Sequence, residues 1–181
     1  VQRPMLLNLL LGQAIESIYG TNYPNRNHVE NYLRHRVEQF YKQSPRILPG
    51  VLPVLEMLDS RGIQIGIHSH AQEEWTEIKV EYLRNRFFDA YGREITIPYY
   101  ATSIDSQKNE YGWRDAINYF GFTVQNTLVV GDNLRDDILA AHTIGVPNLV
   151  LISGSRYASN TALPSDIQIL RVEQIEDILN L

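Results

Sequence analysis

The stretch Leu128-Val129-Val130-Gly131-Asp132-Asn133-Leu134-Arg135-Asp136-Asp137-Ile138 carries most of what the chain discloses about its fold. With Thr127 before it, Leu128-Val129-Val130 is a short, β-rich apolar run of the kind that forms a strand buried on both faces. Gly131 stops the run and Asp132 is delivered at its carboxyl end. A helix follows, with Ile138, Ala141 and Ile144 on one face and Gly145 as its stop. Open parallel sheets bind ligands beyond the carboxyl ends of their strands, so Asp132 stands where such a protein does its chemistry. Asp136 and Asp137 add two carboxylates within the next turn. Clustered carboxylate oxygens suit Mg²⁺, a hard cation that keeps several waters and shares its remaining sites with phosphate. Acids in a first helical turn also serve simply to complement the helix dipole, and for Asp136 and Asp137 taken singly both readings stand.

The pattern around this stretch alternates helix and strand. After Pro49-Gly50, a helical stripe of Val51, Val54, Leu55 and Leu58 runs to Gly62, and Ile63 to Ile67 has strand length and composition. A helix with Trp75, Ile78, Tyr82 and Leu83 precedes a strand expected around Ile95 to Tyr99. Trp113, Ala116, Ile117 and Phe120 then mark a helix ending at Gly121. Beyond Pro147, Asn148 to Ile152 reads as a strand, Ile167 to Leu170 as an edge strand and Val172 to Leu179 as a closing helix. Alternation of this kind predicts an α/β fold, a three-layer Rossmann-like parallel sheet from Gly50 onward. Residues before it read as helices: Leu6, Leu9, Leu10, Ala14 and Ile18 up to Gly20, then, after a loop at Thr21 to Asn27, a second helix from His28 to Gln43.

Two further residues fall at the edge that Asp132 marks. Ser69 follows the strand predicted at Ile63 to Ile67 and could donate a hydrogen bond to a phosphate oxygen; as a helix cap it would need no ligand. Lys108 lies 24 positions before Asp132, at the start of the helix that leads into the Thr127 strand. A lysine there is commonly solvated surface, but beside carboxylates at a sheet edge it can neutralise a transferring phosphoryl group.

Together, Ser69, Lys108 and Gly131-Asp132 with its trailing acids resemble the second, third and fourth motifs of the haloacid dehalogenase-like hydrolase superfamily. The resemblance extends through Leu48-Pro49-Gly50-Val51 and through Ala140-Ala141 to Gly145-Val146-Pro147, and is close over residues 48 to 155. Residues 1 to 47 look like the inserted helical cap of its first structural subclass, and residues 48 to 181 like its Rossmann-like core. The resemblance implies a Mg²⁺-dependent phosphatase acting on a small phosphorylated substrate through an aspartyl-phosphate. Asp132 would hold the metal with help from Asp137 or Asp136, the register of Ile138 and Ala141 favouring Asp137; Ser69 and Lys108 would steady the phosphoryl oxygens, and His70 would stand beside the substrate.

There are departures. Asn109 stands where family members usually have proline, and His70 where a small polar residue or Asn is common. The first motif, Asp-x-Asp behind an apolar strand, has no counterpart before residue 48, and with it goes the family's nucleophile. That motif's strand lies in the family between the strands expected at Ile63 and Thr127. Without it, both neighbours would lose backbone partners, at about 1 to 3 kcal/mol for each unsatisfied buried group. The sequence opens with Val1, and its only methionines are Met5 and Met57. We therefore expect a strand to have been removed at the amino terminus, the 181 residues to be inactive alone, and a rival variant fold to need another segment in the gap.

Composition narrows the alternatives. With 16 Lys plus Arg against 21 Asp plus Glu, the net charge of -5 offers no basic field for nucleic acid. The apolar run Met5 to Leu11, broken by Asn8, is far below the ~20 residues that span a bilayer, so no membrane segment is expected. Zero cysteines exclude disulfides, thiolate metal sites and cysteine nucleophiles, and leave a cytoplasmic setting as the default. His68 and His70 would share a face of a continuing strand and invite a metal reading, but no third ligand is evident. Trp75, Trp113, Tyr99 and Tyr100 read as packing, and Ser153-Gly154-Ser155-Arg156 as either pocket mouth or turn. The competing function is a noncatalytic binding or regulatory module on the same fold.

Overall fold

The structure is a computed structural model that describes residues 12–18, 20, 24–42, 45–71, 73–101, 108–154 and 167–180. The helical stripe positions Leu6, Leu9 and Leu10, the loop at Thr21 and the turn residues Ser155 and Arg156 lie outside the described residues. The chain divides into two compact units, Val1–Pro45 and Arg46–Leu181.

The first unit holds helices α1 (residues 12–18) and α2 (Arg26–Lys42). Arg26 ties them: its guanidinium reaches Glu16 of α1 at 2.8 Å and Glu30 one turn on at 2.8 Å. Exposed pairs like these contribute little, because water screens both charges.

The second unit is α/β. Its order is α3 (Val51–Ser60), β1 (Ile67–Ser69), α4 (Glu73–Tyr91), β2 (Tyr99–Ala101), α5 (Glu110–Tyr119), β3 (Leu128–Gly131), a wide helical turn (Leu134–Leu139), α6 (Ala140–Thr143), β4 (Asn148–Ile152), β5 (Leu170–Val172) and a tight 3₁₀ turn (Ile175–Asn180). Every strand pairing is parallel. The layers follow from alternation along β4. Leu149 and Leu151 pack with Trp113, Ile117, Ile138 and Ala141 on one face, and Val150 packs with Val54, Val172 and Ile178 on the other. Burying side chains of this size stabilises by about 1.5 to 3 kcal/mol each, which is why a strand of continuous apolar residues sits between two helical layers.

The sheet is interrupted. Strands β1 and β2 form one ladder and β3, β4 and β5 another, with no pairing of β1 to β3 among the described residues. Helix α3 nonetheless serves both, for Leu55 packs with Phe87, Ile95 and Ile97 while Val54 joins the β4–β5 cluster.

Strand positions differ from the expected ones at three places. Pairing begins at Ile67 rather than Ile63, and at Tyr99 rather than Ile95. Ile95 and Ile97 are buried as strand residues would be, but Pro98, whose carbonyl accepts from Ile67 at 2.9 Å, has no N–H to return to β1, so the ladder stops there. Ile63 is exposed and donates its N–H to Leu58, closing the end of α3. At the carboxyl end β5 covers Leu170–Val172, and a 3₁₀ turn replaces the expected helix. Gly50 is required in the same region: its φ is 78°, and a Cβ there would overlap Glu176.

Candidate active site

The site is assembled from the end of β3 outward. After Gly131 the chain turns through Asp132 to Asn133, whose side-chain oxygen accepts the N–H groups of Arg135 and Asp136, each at 3.0 Å. Asn133 is thus the N-cap of the wide turn Leu134–Leu139, satisfying donors that a helix start leaves open. Ile138 N–H bonds back to the Asn133 carbonyl at 3.4 Å and Asp137 N–H to the same carbonyl at 2.9 Å. Wide turns of this kind recur at functional sites, and this one rotates two adjacent acids into different surroundings.

Asp137 turns inward. It is 4% exposed, and its Oδ2 accepts the amide N–H of Asp132 at 3.1 Å and of Asn133 at 3.0 Å. Its Oδ1 pairs with the Lys108 ammonium. The carboxylate lies over Gly131 so closely that a Cβ at 131 would overlap it, which is the physical reason for glycine before Asp132. Asp136 is half-buried and its Oδ2 accepts from the Asn133 side-chain amide at 3.0 Å. Of the two acids whose registers were both open, Asp137 is therefore the one joined to Lys108 and to the backbone that presents Asp132.

Lys108 stands just before α5, whose N-cap is Asn109: the Asn109 side chain accepts from Tyr111 and Gly112 N–H, each at 3.1 Å. The residue that departs from the usual proline is doing a helix cap's work. The Lys108 ammonium also lies 5.1 Å from the centre of the Trp113 ring, a cation–π distance.

Ser69 ends β1, and its hydroxyl oxygen accepts the N–H of Ala71 at 3.1 Å. That is a local turn contact and not the cap of α4, which starts at Glu73. His70 follows it and is exposed, whereas His68 is buried between Tyr100 and Trp113, with ring centres 5.7 Å and 4.6 Å away. The two histidines do not share a face, because the strand ends at Ser69. Burial, and after it the Lys108 charge, lowers the His68 pKa to about 3, so the ring is neutral near pH 7. Neither ring nitrogen has a hydrogen-bond partner among the described residues.

Among the described residues no three His, Asp or Glu side chains gather closely enough to hold a metal by themselves. The donors at the edge are nonetheless all carboxylate oxygens, which fits Mg²⁺ completed by waters and a phosphate rather than zinc. Asp132 is the acid that would hold it. Asp137, already bonded to an ammonium and two amides, would act on the metal through water.

Two residues carry more than their sequence position discloses. Asn133 was legible only as a polar residue before a helix, and Trp113 only as an apolar-stripe residue; its indole N–H in fact donates to the Asp136 carbonyl at 2.8 Å. Ser153 and Gly154 lie in a turn after β4 and donate their main-chain N–H groups to the Val172 and Glu173 carbonyls. No helix among the described residues is long and apolar enough to cross a membrane.

The family model described as haloacid dehalogenase-like hydrolase matches residues 5–151. Among solved structures the chain is similar to a haloacid dehalogenase-like family hydrolase from Xanthomonas campestris, with 13% identity, 97% of this chain and 74% of that one covered, and a TM-score of 0.64. It is similar to a hydrolase from Pseudomonas syringae at 20% identity, covering 96% and 76% with a TM-score of 0.57. A HAD-superfamily hydrolase of subfamily IA, variant 1, from Geobacter sulfurreducens gives 21% identity, 96% and 89% coverage and a TM-score of 0.55. At these identities the structures establish likeness of fold. No curated protein matches the sequence.

Proposed function

The chain belongs to the haloacid dehalogenase-like hydrolases, and from that premise we propose that it serves a Mg²⁺-dependent phosphohydrolase acting on a small phosphorylated metabolite. The observation that carries the reading is the Lys108–Asp137 pair beneath the carboxyl end of β3, with Asp137 also gripping the amides of Asp132 and Asn133. A buried acid used this way ties an ammonium to the backbone that carries Asp132 before any substrate arrives, a preorganisation that suits phosphoryl transfer.

In this reading Lys108 and Ser69 hold the phosphoryl oxygens, Asp132 holds the metal, and His70, exposed just beyond Ser69, lines the approach of the substrate. Mg²⁺ when bound would neutralise charge on the phosphoryl oxygens. An aspartate then attacks phosphorus: the O–P bond to the enzyme forms, the ester P–O bond breaks, and the leaving alkoxide takes a proton. Water cleaves the aspartyl-phosphate, releasing phosphate and the free carboxylate. None of the 181 residues forms an Asp-x-Asp pair, and in this reading the attacking acid belongs to a further strand. Strand β1 does not pair with β3 among the described residues, and in this reading a strand carrying the attacking acid would pair with them.

The lack of any Asp-x-Asp also favours a second reading, a noncatalytic module that binds phosphate or metal on the same fold. Hydrolysis of p-nitrophenyl phosphate separates the two. The 181-residue chain should show no EDTA-sensitive turnover, and a version extended by an Asp-x-Asp strand should show it. Turnover by the 181-residue chain would refute the assigned nucleophile, and inactivity of the extended version would favour the module.

A further inference from the structure

Trp113 lies in the first turns of α5, five residues after Lys108, and is 8% exposed. Its indole meets three separate segments. The N–H donates to the main-chain oxygen of Asp136 at 2.8 Å. One ring face carries the Lys108 ammonium at 5.1 Å, and the His68 ring, from β1, meets it at 4.6 Å with planes at 87°. An apolar core position needs a ring of the right volume and nothing more. Here the donor is spent on the turn that presents Asp137, and the π-face on the cation that pairs with Asp137.

We propose that Trp113 is a positioning residue: one rigid side chain sets both the Lys108 ammonium and the Asp136–Asp137 turn, and so fixes the distance between cation and acid at the phosphate site. The inference rests on the proposed reading of Lys108 and Asp132 as phosphate and metal groups. A lysine has a flexible four-carbon stem and no fixed donor geometry, so it needs such a constraint more than an arginine would. The wide turn gains one as well, because its Asp136 carbonyl accepts the Trp113 indole N–H from another segment.

Two substitutions separate the contacts. Trp113→Phe keeps a ring face for Lys108 and removes the N–H; Trp113→Leu removes both. In the 181-residue chain, amide hydrogen exchange at Asp132 and Asn133 should accelerate about fivefold in Trp113→Phe, the loss expected for one hydrogen bond. Acetylation of Lys108, followed by peptide mass spectrometry, should stay within about twofold of wild type in that variant and rise about fivefold in Trp113→Leu. Mg²⁺ affinity, titrated with the metal alone, should fall in both.

Unchanged amide exchange in Trp113→Phe together with unchanged Lys108 acetylation in Trp113→Leu would overturn the proposal. If Trp113→Leu fails to fold, the exchange rates in Trp113→Phe decide it. If wild type binds no Mg²⁺ detectably, the exchange and acetylation results still decide whether Trp113 positions Lys108 and the turn, while the phosphohydrolase reading falls separately, on failure of the Asp-x-Asp-extended version to hydrolyse p-nitrophenyl phosphate.

Discussion

The ammonium of Lys108 is paired with the carboxylate of Asp137, across a sequence separation that joins the start of α5 to the turn after β3. Asp137 is at the same time an acceptor for two amides, while its neighbour Asp136 turns to the side-chain amide of Asn133. Adjacent acids therefore have unequal work. Asp137→Asn leaves the Lys108 charge without its partner in a mostly buried place, a loss of about 3 to 5 kcal/mol by the usual cost of breaking such pairs. Asp136→Asn should cost less than about 1 kcal/mol. In a version extended by an Asp-x-Asp strand, the proposed Mg²⁺ dependence of turnover should weaken far more for Asp137→Asn; an equal or larger loss at Asp136 would contradict the assignment.

Gly131 is held to glycine by Asp137 and not by its backbone angles. A Cβ there would overlap the Asp137 carboxylate, so Gly131→Ala must push that side chain away from the Asp132 and Asn133 amides. The expected destabilisation in urea unfolding is about 2 to 4 kcal/mol, the range for overpacking plus disturbed hydrogen bonds. Gly131→Ala combined with Asp137→Ala, which clears the space, should cost less than the two single changes added together.

His68 supplies a pH signature. Its folded pKa is lowered from 6.5 to about 3, first by burial and then by Lys108 and His70, with Asp137 opposing. Between those values the unfolded chain binds a proton that the folded chain does not, so stability is intact above about pH 6.5 and falls as pH drops toward 3. The slope from this one group is at most about 1.4 kcal/mol per pH unit. Denaturant unfolding from pH 7 to 4 should show His68→Phe losing less stability than wild type over that range. Parallel curves for the two proteins would show that His68 is protonated in the fold.

The difference between what was legible and what was not has identifiable causes. The end of β3 was legible because an apolar run, a glycine and an acid leave one sensible placement. Strands β1 and β2 start about four residues later than their apolar runs, because buried alternation at Ile95 and Ile97 signals an extended chain but not where ladder bonds stop, and Pro98 has no N–H to return to β1. The histidines were set on one face by period-two reasoning that holds only while the strand lasts, and it ends at Ser69. Trp113 read as packing because periodicity reports burial, whereas the partner of an indole N–H is a tertiary fact. Asn109 was visible as a departure from the family, and its role as the cap of α5 needed the Tyr111 and Gly112 amides in place.

The central claim is that Ser69, Lys108 and Asp132 form one phosphate and metal site. Crystals of the 181-residue chain grown with Mn²⁺ and inorganic phosphate test it most directly, because anomalous scattering locates the metal without assumption. We expect the metal peak within coordination distance of Asp132 and phosphate oxygens on Lys108 and Ser69. A metal bound away from Asp132, or a phosphate that touches neither Lys108 nor Ser69, would contradict the account.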